Sequence, residues 1–278
     1  MPVSYSPYIS ALSIYPVKGM RGTTVRRAAA EFCGLQGDRR WMVVDGDGVF
    51  LTQRELPVLA RIVPTTTKVG LMLECDGDEI HVGRPPEISC DVTVHVWRDD
   101  VPAQDAGDTV AEWLSQRLKR RVRLVYLHDP DARRTDPHYA PTRPPVSFAD
   151  GFPLLITTTA SLEDLNRRMD TPVPMTRFRP NITVSGCSAW SEDTWRLIRI
   201  GTCLIRVVKP CARCAVTLVD QTTGGKPTPR EPLRTLATFR RARRGVMFGQ
   251  NAIILRKGTI RVNDPVELLE IAPAALDS

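Results

Sequence analysis

A chain of 278 residues with 42% hydrophobic and 25% charged side chains has ordinary globular composition, which excludes a disordered or fibrous protein and allows one or two well-buried domains. The start, Met1-Pro2-Val3-Ser4-Tyr5, has no basic region followed by an apolar one, and no stretch approaches about eighteen apolar residues. A cytoplasmic location without a membrane span is therefore expected, and seven scattered cysteines are expected as reduced thiols rather than a disulfide framework. A net charge of +7 points to an anionic partner, yet five Trp, five Tyr and seven Phe that do not interleave with basic residues argue against nucleic acid.

The first half reads as short strands between turns: Ile9 to Val17, ending at Lys18-Gly19, then Arg40 to Val44, a hairpin-type turn at Asp45-Gly46-Asp47-Gly48, and Val49 to Thr52. Ala60 to Pro64, Gly70 to Cys75, Glu79 to Val82 and Val92 to Trp97 follow, a spacing that suggests a small barrel or sandwich. Val110, Trp113, Leu114, Arg117 and Leu118 recur at helical spacing between Asp108 and Arg120, with an Asp as N-cap. After a strand at Val122 to Leu127, the Pro-, Asp- and Arg-rich run His128 to Pro145 reads as a long loop, which places a domain boundary between 1–127 and 128–278.

The second half begins with apolar Leu154-Leu155-Ile156 and a helix capped by Ser161 with Leu162, Leu165 and Met169 on one face. Strands are expected at Ile182 to Ser185, Trp195 to Ile200, Cys203 to Val208, Val216 to Asp220, Asn251 to Leu255 and Val266 to Glu270, with turns at Lys257-Gly258 and Asn263-Asp264-Pro265. The fold class is mainly β (α+β).

Three segments carry candidate chemistry. Lys209-Pro210-Cys211-Ala212-Arg213-Cys214 offers soft thiolates, with Arg213 placed to keep a thiol deprotonated. Zinc would need further ligands, and His81, His95, His128 and His138 lie upstream without zinc-type spacing. A redox CxxC should open a helix, whereas Ala215 to Val219 reads as strand; two structural thiols remain a third reading. Arg177-Phe178-Arg179-Pro180-Asn181 could grip a phosphate with guanidinium forks or simply be a solvated strand entry. Tyr15-Pro16-Val17-Lys18-Gly19 and Gly37-Asp38-Arg39-Arg40-Trp41 each set a cation at a turn beside a strand, where binding groups or unremarkable surface charges both occur.

Taken in order, YPVKG at 15, GDRRW at 37, FRPNITVSGC at 178, KPCARCAVTLVD at 209 and FGQN at 248 resemble the MOSC family with its N-terminal MOSC-associated β-barrel. That family includes the mitochondrial amidoxime-reducing components and bacterial 6-N-hydroxylaminopurine resistance proteins. The resemblance runs from about Ile9 to Glu270 and implies an N-terminal MOSC β-barrel, a C-terminal MOSC β-barrel with flanking helices, and a molybdenum cofactor (Mo-molybdopterin) between them. On it, Cys214 is the metal ligand and a catalytic residue, with Asp150 and Asn181 the other catalytic candidates. Lys18, Gly19, Arg39, Gly151, Arg179, Ala212, Arg213 and Asn251 would contact the cofactor, and Cys211 would be structural or adjacent to the ligand. Gly19 and Ala212 stand where some relatives have Ser, so any hydroxyl contact there is absent.

The implied activity is reduction of a small N-hydroxylated substrate; the alternative is a non-catalytic carrier of molybdenum cofactor or sulfur. A weak family association with pyridoxal phosphate accompanies it. The targeting and anchor segment of the mitochondrial relatives, and the iron–sulfur domain of some bacterial ones, find no counterpart between Met1 and Ser278. A separate ferredoxin-, flavodoxin- or cytochrome-type donor with its reductase is therefore expected, and the basic run Arg240-Arg241-Ala242-Arg243-Arg244 is a candidate dock for an acidic carrier, or else a solvated loop.

Overall fold

The computed structural model describes residues 6–86, 91–274 and 276. It is mainly β, and its sheets are not collinear with the chain. The largest sheet runs, in spatial order, Glu267–Ile271, Trp195–Ile200, Cys203–Arg213, Gly245–Arg256, Leu154–Thr158, Ile182–Ser185, Tyr8–Ile14 and Thr23–Val25, with Arg241–Ala242 paired to the fourth of these. A five-stranded sheet orders Asp91–Val96, Asp99–Asp105, Arg123–Tyr126, Trp41–Val44 and Val17–Lys18. Two three-stranded sheets complete the fold, one of Gly258–Arg261, Arg27–Glu31 and Gly34–Leu35, the other of Val63–Thr66, Gly70–Cys75 and Asp78–Gly83.

The first strand therefore sits in the sheet of the second half, antiparallel to Ile182–Ser185. A few residues later the chain joins the other sheet, where Val17–Lys18 lies parallel to Trp41–Val44. The switch is local: the Tyr15 and Pro16 carbonyls accept from Arg39 N and Trp41 N, at 2.7 and 3.0 Å, which turns the chain away from the first sheet and onto the strand Trp41–Val44 of the second. Two main cores flank this crossing. Ile9, Leu12, Ile156, Ile182, Ile198 and Ile254 pack beneath the large sheet, and Val17, Met20, Trp41, Leu59, Leu114 and Leu124 pack beneath the smaller one. The seam between them is where Lys18 emerges.

Several expected elements are corrected. Ile9 to Val17 is two strands rather than one. Val49 to Thr52 makes only isolated bridges, because Asp45 Oδ1 accepts from Asp47 N and Val49 N and ties up the turn. Ala60 to Pro64 divides into a 3₁₀ turn, Pro57–Arg61, started by a proline that lacks the N–H a ladder needs, and the strand Val63–Thr66. The helix Asp108–Leu118 is preceded by Gly107 at φ 96°, not by an Asp cap. The helix Thr159–Arg167 is capped by Thr158, since the Ser161 hydroxyl donates to Glu192 and accepts from Trp190 N. Val216 to Asp220 is a 3₁₀ turn, Ala215–Leu218, captured by Thr217 Oγ1 bonding Cys214 O at 2.9 Å and by Arg177 bonding the carbonyls of Thr217 and Leu218. The strands Thr23–Val25, Arg27–Glu31, Asp99–Asp105 and Gly258–Arg261, and the short helix Leu233–Leu236, were not anticipated.

Candidate functional site

A cleft opens on the seam, lined by Lys18 and Arg39 from one side and by Arg179, Asn181 and Cys214 from the other. Gly19, Asp150, Gly151, Arg213 and Asn251 also line it, so the expected site residues converge there with one exception. Ala212, exposed near the end of the strand Cys203–Arg213, lines a neighbouring vestibule instead.

Two arginines define the floor. Arg39 and Arg179 lie on opposite segments, with guanidinium carbons 4.5 and 4.3 Å from the centre of the Tyr15 ring. Both hold left-handed backbone, φ 48° and 57°, a strained conformation that non-glycine residues keep only where surroundings enforce it. Their electrostatics differ. Arg39 donates to Asp38 at 2.5 Å; burial opposes its charge, but Asp38, Tyr15 and Asp150 together outweigh burial and raise its pKa. Arg179 is buried with Gln221 Oε1 at 2.9 Å as its side-chain partner and no carboxylate within ion-pairing distance among the described residues. Burial, reinforced by the like charge of Arg39, pulls its pKa down to about 10.

Asn181 holds the two sides together. Its Oδ1 accepts from Leu155 N and Arg39 Nη1, both at 3.2 Å, and its Nδ2 donates to Ser13 O at 3.3 Å, so both ends of the amide are engaged. Lys18 Nζ donates to Phe148 O at 2.8 Å and Asp150 Oδ1 at 2.5 Å. Desolvation lowers the lysine pKa. Desolvation would raise the Asp150 carboxyl, but Lys18, joined by Arg39 and the Trp97 N–H, holds it well below the ordinary carboxylate range. Gly19 takes φ 83° to turn the chain out of its strand, and its carbonyl accepts from Gln53 Nε2 at 2.7 Å. Gly151 stands at the open mouth, where an added Cβ would meet nothing.

The two cysteine sulfurs have separate guanidinium neighbours. Arg213 does not serve Cys214: its Nη1 is 3.0 Å from Cys211 Sγ and its Nη2 donates to Phe178 O at 2.7 Å. Arg54, which the sequence reading missed, comes within 3.9 Å of the Cys214 sulfur. Backbone from Cys211 through the strand end to Cys214 is extended, with φ −117° and ψ 179° at Cys214. Three extended residues span roughly 10 Å, beyond the reach of a disulfide.

Other residues work behind the cleft. Arg177 is buried and grips the turn after Cys214, leaving only Arg179 of the pair to face the site. Arg133 donates to the carbonyls of Ser147, Ala149 and Asp150 and pairs with Asp99 at 2.6 Å, which fixes the loop presenting Asp150. Arg240 is not a surface charge: it is buried in a two-pronged pair with Asp193 at 2.6 and 2.9 Å, so of the basic run only Arg241, Arg243 and Arg244 are exposed.

Among the described residues no group of three or more His, Cys, Asp or Glu is placed to hold an ion. The donor set fits an anionic organic cofactor carrying a thiophilic metal. One exposed thiol and a buried arginine without a carboxylate line the cleft. Among the described residues no helix is long and apolar enough to cross a membrane.

Comparison with known proteins gives two family matches, a MOSC N-terminal beta barrel domain over residues 6–121 and a MOSC domain over 143–267. The mitochondrial amidoxime-reducing component 1 of Homo sapiens is 34% identical over 296 aligned residues, 94% of this chain and 82% of the relative. The mitochondrial amidoxime reducing component 2 of Rattus norvegicus is 36% identical, over 93% of this chain and 82% of the relative. A Danio rerio component 1 is 33% identical, over 93% and 83%.

Proposed function

Because the chain belongs to the MOSC family, with a MOSC N-terminal β-barrel domain preceding its MOSC domain, we propose that it is a molybdenum-cofactor-dependent oxidoreductase that reduces N-hydroxylated compounds. The observation that carries this reading is the pairing, in one cleft, of the exposed Cys214 thiol with the unpaired buried charge of Arg179. The relatives' names, amidoxime-reducing component, supply the substrate chemistry. In the overall change an N–O bond breaks, two electrons and two protons are taken up, and the amine or amidine leaves with water.

When bound, the cofactor would supply the two-electron redox centre and the open coordination position where oxygen is removed. Cys214 would ligate the metal, with Arg54 beside the sulfur. Arg179, Arg39 and Arg213 would hold the anionic pterin, with Lys18 and Asn251 at its edges, and Gly19 and Ala212 offering only backbone. Asn181, both ends of its amide engaged, positions Arg39 rather than reacting. Asp150, kept ionised by Lys18, would accept a hydrogen bond from a substrate N–H at the mouth beside Gly151 and is unsuited to donate a proton. Electrons would come from a separate small carrier and its reductase. The weak association with pyridoxal phosphate gains no support, since the lysine at the cleft is held by Phe148 O and Asp150. The division into 1–127 and 128–278 remains our proposal for the domain limits.

The test is metal analysis of protein made in a cofactor-competent host, followed by turnover of an amidoxime with a chemical reductant. About one molybdenum per chain with amidine formed is expected. Molybdenum bound without reduction would favour the carrier, and protein that binds none under these conditions would overturn both.

A further inference from the structure

Beside the cleft lies a second cavity of about 680 Å³, within the range of small-molecule sites. The two share Asp150, Gly151, Phe152, Cys211 and Asn251, so the vestibule opens directly onto the cleft. Its walls have two characters.

One is aromatic. Tyr139 and Phe152 meet edge to face with centroids 6.1 Å apart. Trp97 stands at the tip of the hairpin formed by Asp91–Val96 and Asp99–Asp105, half exposed and at φ 60°, a backbone state uncommon for a bulky residue. It is fixed there by Phe50 at 5.0 Å between centroids, by the Arg54 guanidinium 4.8 Å from its ring centre, and by its indole N–H donating to Asp150 at 3.3 Å.

The other is cationic. Arg133 is neutralised by Asp99, and Arg134 pairs with Asp131 at 3.2 Å. That leaves Arg98, Arg143 and Lys209 on the wall without a carboxylate within 4.0 Å among the described residues, against Asp136. Lys209 is the most constrained of these. Half-buried, its ammonium sits 4.0 Å from the Tyr139 ring centre and 5.5 Å from that of Phe152, two residues before Cys211. An ammonium drawn partly out of water, with Asp136 acting on it only from beyond ion-pairing distance, is favourably completed by an anion from outside.

We infer that this vestibule is a specificity subsite that receives planar substrates bearing an anionic substituent, with the ring against Tyr139 and Trp97 and the anion at Lys209. This rests on the oxidoreductase reading for the word substrate, but the binding itself does not depend on turnover. The reacting N–O group would then enter the cleft between Asp150 and Cys214.

The experiment is calorimetric titration of the molybdenum-loaded protein with two non-reducible probes, 4-carbamoylbenzoate and uncharged benzamide. Wild type should bind the carboxylate about tenfold more tightly, Lys209→Met should bring the ratio of dissociation constants near one, and Lys209→Arg should keep it. Lack of preference in wild type, or a preference that survives Lys209→Met, overturns the inference. A parallel measurement of KM for benzamidoxime and 4-carboxybenzamidoxime should show the same ratio. If the binding preference appears while neither compound is reduced, the subsite stands and the oxidoreductase reading fails.

Discussion

Arg179→Met separates what the arginine does for the fold from what it does for the cofactor. The native guanidinium is buried, its pKa pulled down from the ordinary arginine value to about 10, so at neutral pH the folded protein carries a charge it holds less comfortably than the unfolded chain does. A depression of that size corresponds to a penalty of roughly 3 kcal/mol. The sign follows from a base with a depressed folded-state pKa: the penalty is complete below about pH 10 and shrinks only as pH rises above 10 towards the ordinary arginine value. Methionine keeps most of the volume without the charge, and the Gln221 oxygen released still accepts from Gln53 Nε2 at 2.9 Å, so no acceptor is orphaned. Lost stacking on Tyr15 takes back about 1 kcal/mol. The cofactor-free variant should therefore be more stable than wild type by about 2 kcal/mol, roughly 4 °C in Tm for a chain of this size. The same variant, made in a cofactor-competent host, should hold less than a tenth of the wild-type molybdenum. Thermal scans of both apoproteins with metal analysis of both holoproteins check it. A less stable Arg179→Met apoprotein, or one that still fills with molybdenum, refutes the idea that this charge is kept for an anion.

Other residues make separate demands. Cys214→Ser should lose nearly all molybdenum while Cys211→Ser, whose sulfur meets Arg213, keeps most of it; equal retention in the two would remove Cys214 as the ligand. Glu192, pushed up to about 7 by burial, keeps a proton that the unfolded chain releases near 4.5, so its contribution is complete below pH 4.5 and is lost as pH rises to 7, by roughly 3 kcal/mol. Glu192→Gln should accordingly gain stability over wild type at pH 8 relative to pH 4.5 in denaturant unfolding, and a difference independent of pH counts against it. Arg240→Gln should destabilise by about 3–5 kcal/mol because it leaves Asp193 buried with Gln250 Nε2 at 2.7 Å but without its counter-ion. Arg241→Gln with Arg244→Gln should change unfolding by less than about 0.5 kcal/mol yet slow turnover driven by an acidic protein donor at low salt. If a small neutral donor is slowed as much, that surface is no dock.

What could be read from the sequence follows the physics of each signal. Gly70–Cys75 and Trp195–Ile200 were legible to the residue because apolar alternation bounded by turn residues reports a half-buried strand directly. The stretch after Cys214 has the same apolar look, yet it folds as a turn because a distant arginine, Arg177, takes up its carbonyls. No local pattern contains that. The five motifs led to Lys18, Arg39, Arg179 and Cys214, since each lies within a run whose order along the chain is itself informative. Periodicity did not show which member of a pair matters: Arg179 faces the cleft while Arg177 is spent on backbone, and Arg213 turns to Cys211 while Arg54, 160 residues from Cys214 along the chain, reaches its sulfur.

The residues that escaped the sequence share one feature: Arg54, Trp97 and Arg133 are single side chains on turns and loops, which carry no repeat and gain meaning only where the two sheets meet. Because Tyr8–Ile14 is committed to one sheet and Val17–Lys18 to the other, Tyr15 is placed at the seam by the strands on either side of it. The Tyr15 ring then becomes the surface on which Arg39 and Arg179 lie, each from a different part of the chain. Two cations on one ring, only one of them neutralised by a carboxylate, cost the apoprotein stability and leave the cleft poised for an anion. The strand crossing that makes the chain hard to divide into two independent halves is thus also what concentrates unsatisfied positive charge beside Cys214.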